Sequence, residues 1–254
     1  AGQQHRMQEG GYAFIPPGAS WQLFNESDVT VRFHWVRKAY EHVDGIDVPE
    51  AFVTNETDIT PTEMPGTEGR WTTTRFVDPQ DIRHDMHVNI VNFQPGGVIP
   101  FAETHVMEHG LYVLEGKAVY HLNQDWVEVE AGDYMWLRAF CPQACYAGGP
   151  GPFRYLLYKD VNRHMKLSQE AFAEFGDVID RRTADSFAIN AGRTQRHHDL
   201  AKVELLGDEA RVLVSIFVSQ PVTLPLELSF LERHPQGSQA FMPLHEERFL
   251  VVVD

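Results

Sequence analysis

The octapeptide from Glu103 to Gly110, ETHVMEHG, brings two imidazoles and two carboxylates into its first seven residues. Such side chains are common ligands of manganese, iron and zinc ions in proteins. The same residues also occur on ordinary solvated strands. Two histidines four residues apart usually belong to such a strand. The surrounding spacing has to decide between a metal site and a polar strand.

That spacing extends from Gly97, six positions before Glu103, to Gly116. His105 and His109 follow Glu103 by two and six positions, and Gly116 comes seven positions after His109. The frame matches the first metal-binding motif of the cupin family, with Glu103 in place of the first histidine and His109 in place of the closing glutamate. Because residues i and i+2 share one face of a strand, Glu103 and His105 are predicted to point inward together.

A fourth ligand is predicted from the second cupin motif. Counting from Gly132, its histidine position falls on Gln143, while Arg138 and Phe140 replace the motif's proline and glycine. A glutamine can coordinate through its amide oxygen. The predicted metal ligands are Glu103, His105, His109 and Gln143. Two imidazoles and two oxygens suit Mn²⁺ or iron better than a closed tetrahedral zinc site.

The second cupin motif occurs once more near the N-terminus, from Gly10 through Pro16 and Gly18 to Asn25. Trp21 occupies its histidine position, and an indole cannot ligate a metal. We therefore expect a metal-free first cupin in which the ring of Trp21 fills the space. Its first motif would lie upstream of the sequence, so we expect the chain to begin inside a domain. The apolar run 249–253 has nothing after Asp254 to pair with it, so we expect a fragment at both ends.

Composition excludes several classes of protein. The 254 residues are 43% hydrophobic and 22% charged, as in ordinary globular proteins. A net charge of −15 argues against nucleic acid, whose phosphates are bound by lysine and arginine. The sequence contains neither an apolar run of membrane-spanning length nor a signal-peptide pattern. Two cysteines are too few for a disulfide framework, so a cytoplasmic location is predicted.

Short alternating runs broken by glycine, proline, asparagine and aspartate predict an all-β protein. The clearest predicted strands are 86–93, 111–114, 117–122, 126–129, 134–138 and 153–158, then 203–206, 211–218, 226–231 and 249–253. Glu115-Gly116 is predicted to be a hairpin turn, and 54–69 a connecting loop. Ser168 and Gly176 bound a predicted helix. The predicted domains are 1–60 (remainder of the metal-free cupin plus an arm), 61–164 (metal-binding cupin) and 165–254.

Residues 1–165 resemble (S)-ureidoglycine aminohydrolase, a bicupin of two jelly-roll β-barrels. The resemblance is carried by ETHVMEHGLYVLEGKAVYHLNQDWVEVEAGDY, CPQACY and YLLYKDVNRH. It implies Mn²⁺ at the four predicted ligands and a substrate pocket lined by Tyr120, Tyr155 and Lys159. As a carboxylate, Glu103 could also transfer a proton. It implies hydrolytic release of ammonia from (S)-ureidoglycine to give ureidoglycolate, in purine degradation through allantoin.

Residues 167–253 resemble ureidoglycolate lyase, through LSQEAFAEFGDVI, INAGRTQRHHDLAKVEL and LPLELSFLERHPQGSQAFMP. That family splits ureidoglycolate into glyoxylate and urea. The resemblance covers about the first half of a lyase, so we expect a partial cupin-like β-barrel without lyase activity. Arg233, His234 and Gln239 could bind an anionic substrate or only stabilise a turn.

Two other functions remain open from the sequence. A metal-dependent cupin dioxygenase would contain iron and consume oxygen. A non-enzymatic cupin that binds a small molecule would not release ammonia, and the four intact ligand positions argue against it. For the aminohydrolase and the lyase, the expected partners are their small-molecule substrates, ureidoglycine and ureidoglycolate. A homo-oligomer is expected, with neither nucleic acid nor a membrane as a partner.

Overall fold

The structure, a computed structural model, describes residues 3–29, 31–160, 186–190, 204–208, 212–219, 225–231 and 250–253. Nearly every element within these ranges is a strand, and the predicted all-β class is confirmed. The predicted helix bounded by Ser168 and Gly176 lies outside the described residues. None of the described helical segments is long and apolar enough to cross a membrane.

Twenty strands are described. The first five are β1 (Gln4–Met7), β2 (Gly11–Ile15), β3 (Ser20–Phe24), β4 (His34–Ala39) and β5 (Phe52–Asn55). Ten form the middle of the chain: β6 (Thr62–Glu63), β7 (Trp71–Arg75), β8 (Met86–Phe93), β9 (Val98–Glu103), β10 (His109–Glu115), β11 (Lys117–Leu122), β12 (Asp125–Glu130), β13 (Asp133–Leu137), β14 (Gln143–Tyr146) and β15 (Phe153–Asp160). The last five are β16 (Ser186–Asn190), β17 (Glu204–Asp208), β18 (Val212–Phe217), β19 (Leu226–Leu231) and β20 (Leu250–Val253). Two 3-10 turns cover Glu56–Asp58 and Ile82–His84.

The chain divides into two compact units, residues 59–194 and residues 1–58 together with 195–254. The 59–194 unit has two antiparallel sheets, ordered β16-β13-β10-β15-β8-β7-β6 and β12-β11-β14-β9. Apolar residues from both sheets share one buried core, for example Phe93 and Val113 from the larger sheet with Leu122 from the smaller. The alternation of apolar and polar residues along the strands produces this arrangement, because one face of each sheet must be buried.

The predicted hairpin at Glu115-Gly116 is wrong. Strand β10 pairs with β13 and β15, whereas β11 pairs with β12 and β14. Gly116, with φ of 74°, therefore carries the chain from one sheet to the other. A turn signal shows where the chain bends but not which sheet the next strand joins. The predicted loop 54–69 is also interrupted, by the short strand β6.

The other unit also has two sheets, ordered β1-β19-β3-β17 and β20-β4-β18-β2-β5. Its core includes Trp21, which is 3% exposed and meets Trp35 edge to face with ring centroids 6.0 Å apart. The indole thus occupies packed space, as its position in the motif predicts. That this unit binds no metal stays a prediction.

The strand pairings of this unit differ from the predicted division of the chain. Strands β17 to β20 belong to the predicted 165–254 segment, yet they pair with β1 to β4. Pairing satisfies backbone N–H and C=O groups of these strands that would otherwise be open at sheet edges. Strand β16, from the same segment, pairs with β13 of the 59–194 unit. The assignment of 1–60, 61–164 and 165–254 to separate domains stays a prediction.

His34, in β4, makes the stability of this unit dependent on pH. Its side chain is 1% exposed and stacks against Phe217. Burial lowers the pKa of His34 from 6.5 to about 3. Below pH 6.5 the unfolded chain takes up a proton that the folded chain does not, so stability is lost as pH falls from 6.5 towards 3.

We expect His34→Gln to make the free energy of unfolding depend less steeply on pH between pH 6.5 and 3. Removing one such histidine should reduce the slope by up to roughly 1.4 kcal/mol per pH unit within that window. Urea unfolding at several pH values, followed by tryptophan fluorescence, measures the slope. An equal slope in wild type and variant would contradict the prediction.

Candidate metal centre

The four predicted metal ligands lie together in the 59–194 unit. His109 Nε2 is 3.2 Å from Gln143 Oε1, and Gln143 Nε2 is 3.3 Å from His105 Nε2. His105 Nε2 is in turn 4.0 Å from Glu103 Oε1. His109 and Gln143 are nearly fully buried, whereas the side chains of His105 and Glu103 are 18% and 34% exposed. The group is therefore open on the side of Glu103 and His105.

Three strands and one loop position these ligands. Glu103 ends β9, His109 begins β10 and Gln143 begins β14, where it pairs with Glu103. The prediction that Glu103 and His105 share one strand face is wrong, because β9 ends before His105. The loop is tied instead to Phe140, whose amide donates to the His105 carbonyl over 2.7 Å and whose carbonyl accepts from the Thr104 hydroxyl over 2.9 Å.

The environment of His109 favours the neutral imidazole that a metal needs. Burial and the neighbouring His105 lower the pKa of His109 from 6.5 to about 4. Its Nδ1 lies 3.3 Å from the carbonyl oxygen of Met107. A proton on Nδ1 can be donated to this carbonyl, which leaves the Nε2 lone pair directed at the ligand cluster.

The donor atoms of His109 and Gln143 are spaced as two ligands of one ion would be. In an octahedral shell with bonds of about 2.1 Å, neighbouring ligand atoms lie about 3 Å apart. The 3.2 Å between His109 Nε2 and Gln143 Oε1 is close to this separation. His105 Nε2 faces the amide nitrogen of Gln143, and it lies 4.0 Å from Glu103 Oε1, about an ångström further. Among the described residues no three His, Cys, Asp or Glu side chains form a metal-binding group by themselves. Here the amide of Gln143 stands between the two imidazoles and completes the set.

A cavity of about 100 Å³ opens onto the ligands. Tyr120 and Tyr155 line it, and both are almost fully buried. The Tyr120 hydroxyl donates to Gln143 Oε1 over 3.3 Å and lies 3.5 Å from the Tyr155 hydroxyl. Burial raises the pKa of both phenols far above their ordinary value. Both groups therefore stay protonated and can donate hydrogen bonds.

Lys159 and Arg75 give the cavity a positive wall. Lys159 lies on β15, opposite His109 on β10, and both cations line the cavity. Burial lowers the pKa of Lys159, the charge of Arg75 lowers it further, and the carboxylate of Glu103 acts in the opposite direction. Two cations face one carboxylate, so the cavity favours an anionic ligand.

Arg75 and Asn89 were not identified as site residues from the sequence. They lie directly opposite each other on β7 and β8, and both line the cavity. A signal was present, since Trp71, Thr73 and Arg75 occupy alternate positions of β7 and so share a face. Asn89 is a polar residue in a strand whose other residues are almost all buried, and such a residue needs a hydrogen-bond partner.

Two family models match the chain. The family described as "Cupin domain" matches residues 89–158, which include all four predicted ligands. The family described as "Ureidoglycolate lyase" matches residues 161–254. The predicted jelly-roll cupin fold and the resemblance of the C-terminal segment to the lyase are therefore confirmed. Arg233, His234 and Gln239 of this segment lie outside the described residues.

The chain is similar to three further proteins. A crystal structure of the "Putative Glyoxylate Induced Protein" from Pseudomonas aeruginosa shares 61% identity and a TM-score of 0.51, over 60% of this chain and 69% of that one. Ureidoglycolate lyases from Chelativorans sp. and Brucella anthropi are 61% and 56% identical over 87 residues. That stretch is 34% of this chain and 53% and 52% of theirs. The chain thus spans about half the length of these curated relatives.

Proposed function

The chain belongs to the same cupin family as the Pseudomonas aeruginosa Glyoxylate Induced Protein, and from this premise we propose that its metal centre hydrolyses (S)-ureidoglycine. Water adds its oxygen to the carbon that carries the amine, the carbon–nitrogen bond breaks, and the products are ureidoglycolate and ammonia. The proposal places the protein in purine degradation through allantoin, in the cytoplasm.

One observation carries the proposal. Glu103, His105, His109 and Gln143 converge at a cavity whose wall also carries Lys159 and Arg75. Imidazole, carboxylate and amide ligands together suit Mn²⁺. When bound, Mn²⁺ would supply a Lewis acid with open positions for an amine and a carboxylate attached to one carbon.

The chain's own groups orient the substrate. The ammonium of Lys159 binds the carboxylate as a charged donor, while the neutral phenols of Tyr120 and Tyr155 donate further hydrogen bonds. These contacts hold the reacting carbon in one orientation, which contributes through proximity. The carboxylate of Glu103, the most exposed of the ligands, accepts a proton from water and returns it to the departing amine.

The direct test is an ammonia assay on the purified chain with (S)-ureidoglycine, with and without added Mn²⁺. Metal-dependent release above the spontaneous rate supports the proposal. Tightly bound iron with oxygen consumption, and no ammonia release, would favour the dioxygenase. Binding of ureidoglycine without turnover would favour a non-enzymatic cupin.

Lys159→Met is expected to lower kcat/KM for ureidoglycine about ten- to a hundred-fold, because a hydrogen bond to a charged group contributes roughly 1.5–3 kcal/mol. Methionine keeps most of the buried stem of Lys159 but lacks the charge. Metal content should not change, since Lys159 is not among the ligands. Unaltered kinetics in a folded variant would remove Lys159 from the substrate site.

A second candidate function, cleavage of ureidoglycolate into glyoxylate and urea, is favoured by the lyase match over residues 161–254. Because the first activity depends on the metal centre and the second on this segment, one preparation can test both. We expect ammonia release from ureidoglycine to exceed enzyme-dependent glyoxylate formation from ureidoglycolate. Glyoxylate formation well above the spontaneous background would contradict this order and support an active lyase segment.

A further inference from the structure

We propose that Arg75 and Asn89 form a recognition site for the carbamoyl group of the substrate, an inference that rests on the proposed function. The two residues face each other on β7 and β8 and line the cavity. Neither belongs to the predicted metal ligands or to the residues that the aminohydrolase resemblance implies. They would determine which amines enter the site.

Asn89 supplies a buried donor that has no partner in the part of the chain that the structure describes. Its side chain is 1% exposed, and its amide nitrogen donates to no acceptor there. A buried amide N–H left unpaired is destabilising, so such groups normally meet water or a ligand. Because Asn89 lines the cavity, a bound ligand can reach this group.

Arg75 adds donors beside this amide. A guanidinium presents five N–H groups and no acceptor. A carbamoyl group offers one carbonyl oxygen with two lone pairs and an NH₂ group. Its oxygen can accept from both Arg75 and Asn89, while its NH₂ donates to the side-chain carbonyl of Asn89. This complementary pairing distinguishes a carbamoyl group from a second carboxylate, which would leave the Asn89 carbonyl without a donor.

The distance to Lys159 suits a small substrate. Asn89 faces Leu157 on β15, and Lys159 lies two residues further along the same strand. Asn89 and Lys159 are therefore diagonal neighbours on one sheet face, with backbones about 7–8 Å apart. A molecule that carries a carboxylate and a ureido group on one carbon can reach both sites at once.

Calorimetric titration of the Mn²⁺-supplemented full chain tests the inference with two probes, N-carbamoylglycine and glycine. Only the first carries a carbamoyl group. In Arg75→Gln and in Asn89→Leu, the Kd for N-carbamoylglycine should rise about ten-fold or more, as expected when a hydrogen bond to a buried or charged group is lost. In Asn89→Leu the Kd for glycine should change less than about two-fold. In Arg75→Gln, which also removes a positive charge from the cavity, it should rise less than the Kd for N-carbamoylglycine.

Arg70→Gln is the matched control, because it removes the same charge from an exposed arginine paired with Glu68. It should alter neither Kd. If Asn89→Leu does not fold, the half-buried Arg75 still permits the test. Equal weakening of both probes, or unchanged binding of N-carbamoylglycine in both variants, would overturn the carbamoyl site alone. A wild-type protein that binds neither probe would overturn the proposed function together with it.

Discussion

Replacing His109 with alanine is expected to abolish stoichiometric metal binding and, with it, ammonia release. The imidazole is 3% exposed, and its Nε2 lies 3.2 Å from Gln143 Oε1. Its loss removes the ligand whose environment most strongly favours the neutral, metal-binding form. Elemental analysis after gel filtration measures the metal, and the ammonia assay measures the activity.

His121→Ala is the control for this variant. His121 lies in β11 of the same unit but stacks on the exposed Trp126, with ring centroids 4.7 Å apart. Metal content and activity should therefore remain at wild-type values. Unchanged metal content in His109→Ala would refute the ligand assignment. More than one tightly bound metal per chain would refute the expectation that Trp21 keeps the first cupin metal-free.

Gly116→Ala is expected to destabilise the protein by about 3 kcal/mol or more. The residue has φ of 74°, which an L-residue adopts only with strain. A Cβ there would also lie 2.0 Å from the carbonyl oxygen of Pro152 and 3.0 Å from its carbonyl carbon. Because these are backbone atoms, no side-chain rotation can relieve the clash. Urea unfolding of the variant and the wild type measures the difference.

Gly132→Ala separates the two contributions. Gly132 also has a positive φ, of 96°, but a Cβ there would meet nothing within 4 Å. This variant should be destabilised only by the strain of a positive φ in an L-residue, roughly 1–2 kcal/mol. Similar losses at both glycines would show that the contact with Pro152 is easily relieved. A large difference would explain why the cupin motif closes on a glycine at this point.

Local patterns predicted the elements well. Strands β8, β11 and β19 have the bounds that alternation predicts, and four of the five described tail strands, β17, β18, β19 and β20, overlap predicted runs. The ligand residues could be found because a motif fixes their separations along the chain. The elements that hold the ligands differ from the prediction, since His105 lies in a loop bonded to Phe140 and not on β9.

Features created by contacts between distant segments could not be predicted. Arg75 and Asn89 meet only through the register of β7 and β8, and nothing in either strand alone specifies that register. The hairpin predicted at Gly116 was wrong for the same reason, since pairing with strands elsewhere in the chain decides which sheet β10 and β11 join. Sequence patterns describe each strand, whereas the site is a property of strand neighbours.

The strand pairing between the two ends of the chain has a consequence for synthesis. Gln4 in β1 pairs with Ser229 in β19, so this contact cannot form until the chain has been translated as far as residue 229. The 59–194 unit is continuous, and its central strands can pair while the ribosome is still adding the tail. Contacts of such long sequence separation slow folding, since a large loop must close first. The 59–194 unit should therefore fold first, before β2 and β3 pair with strands of the tail.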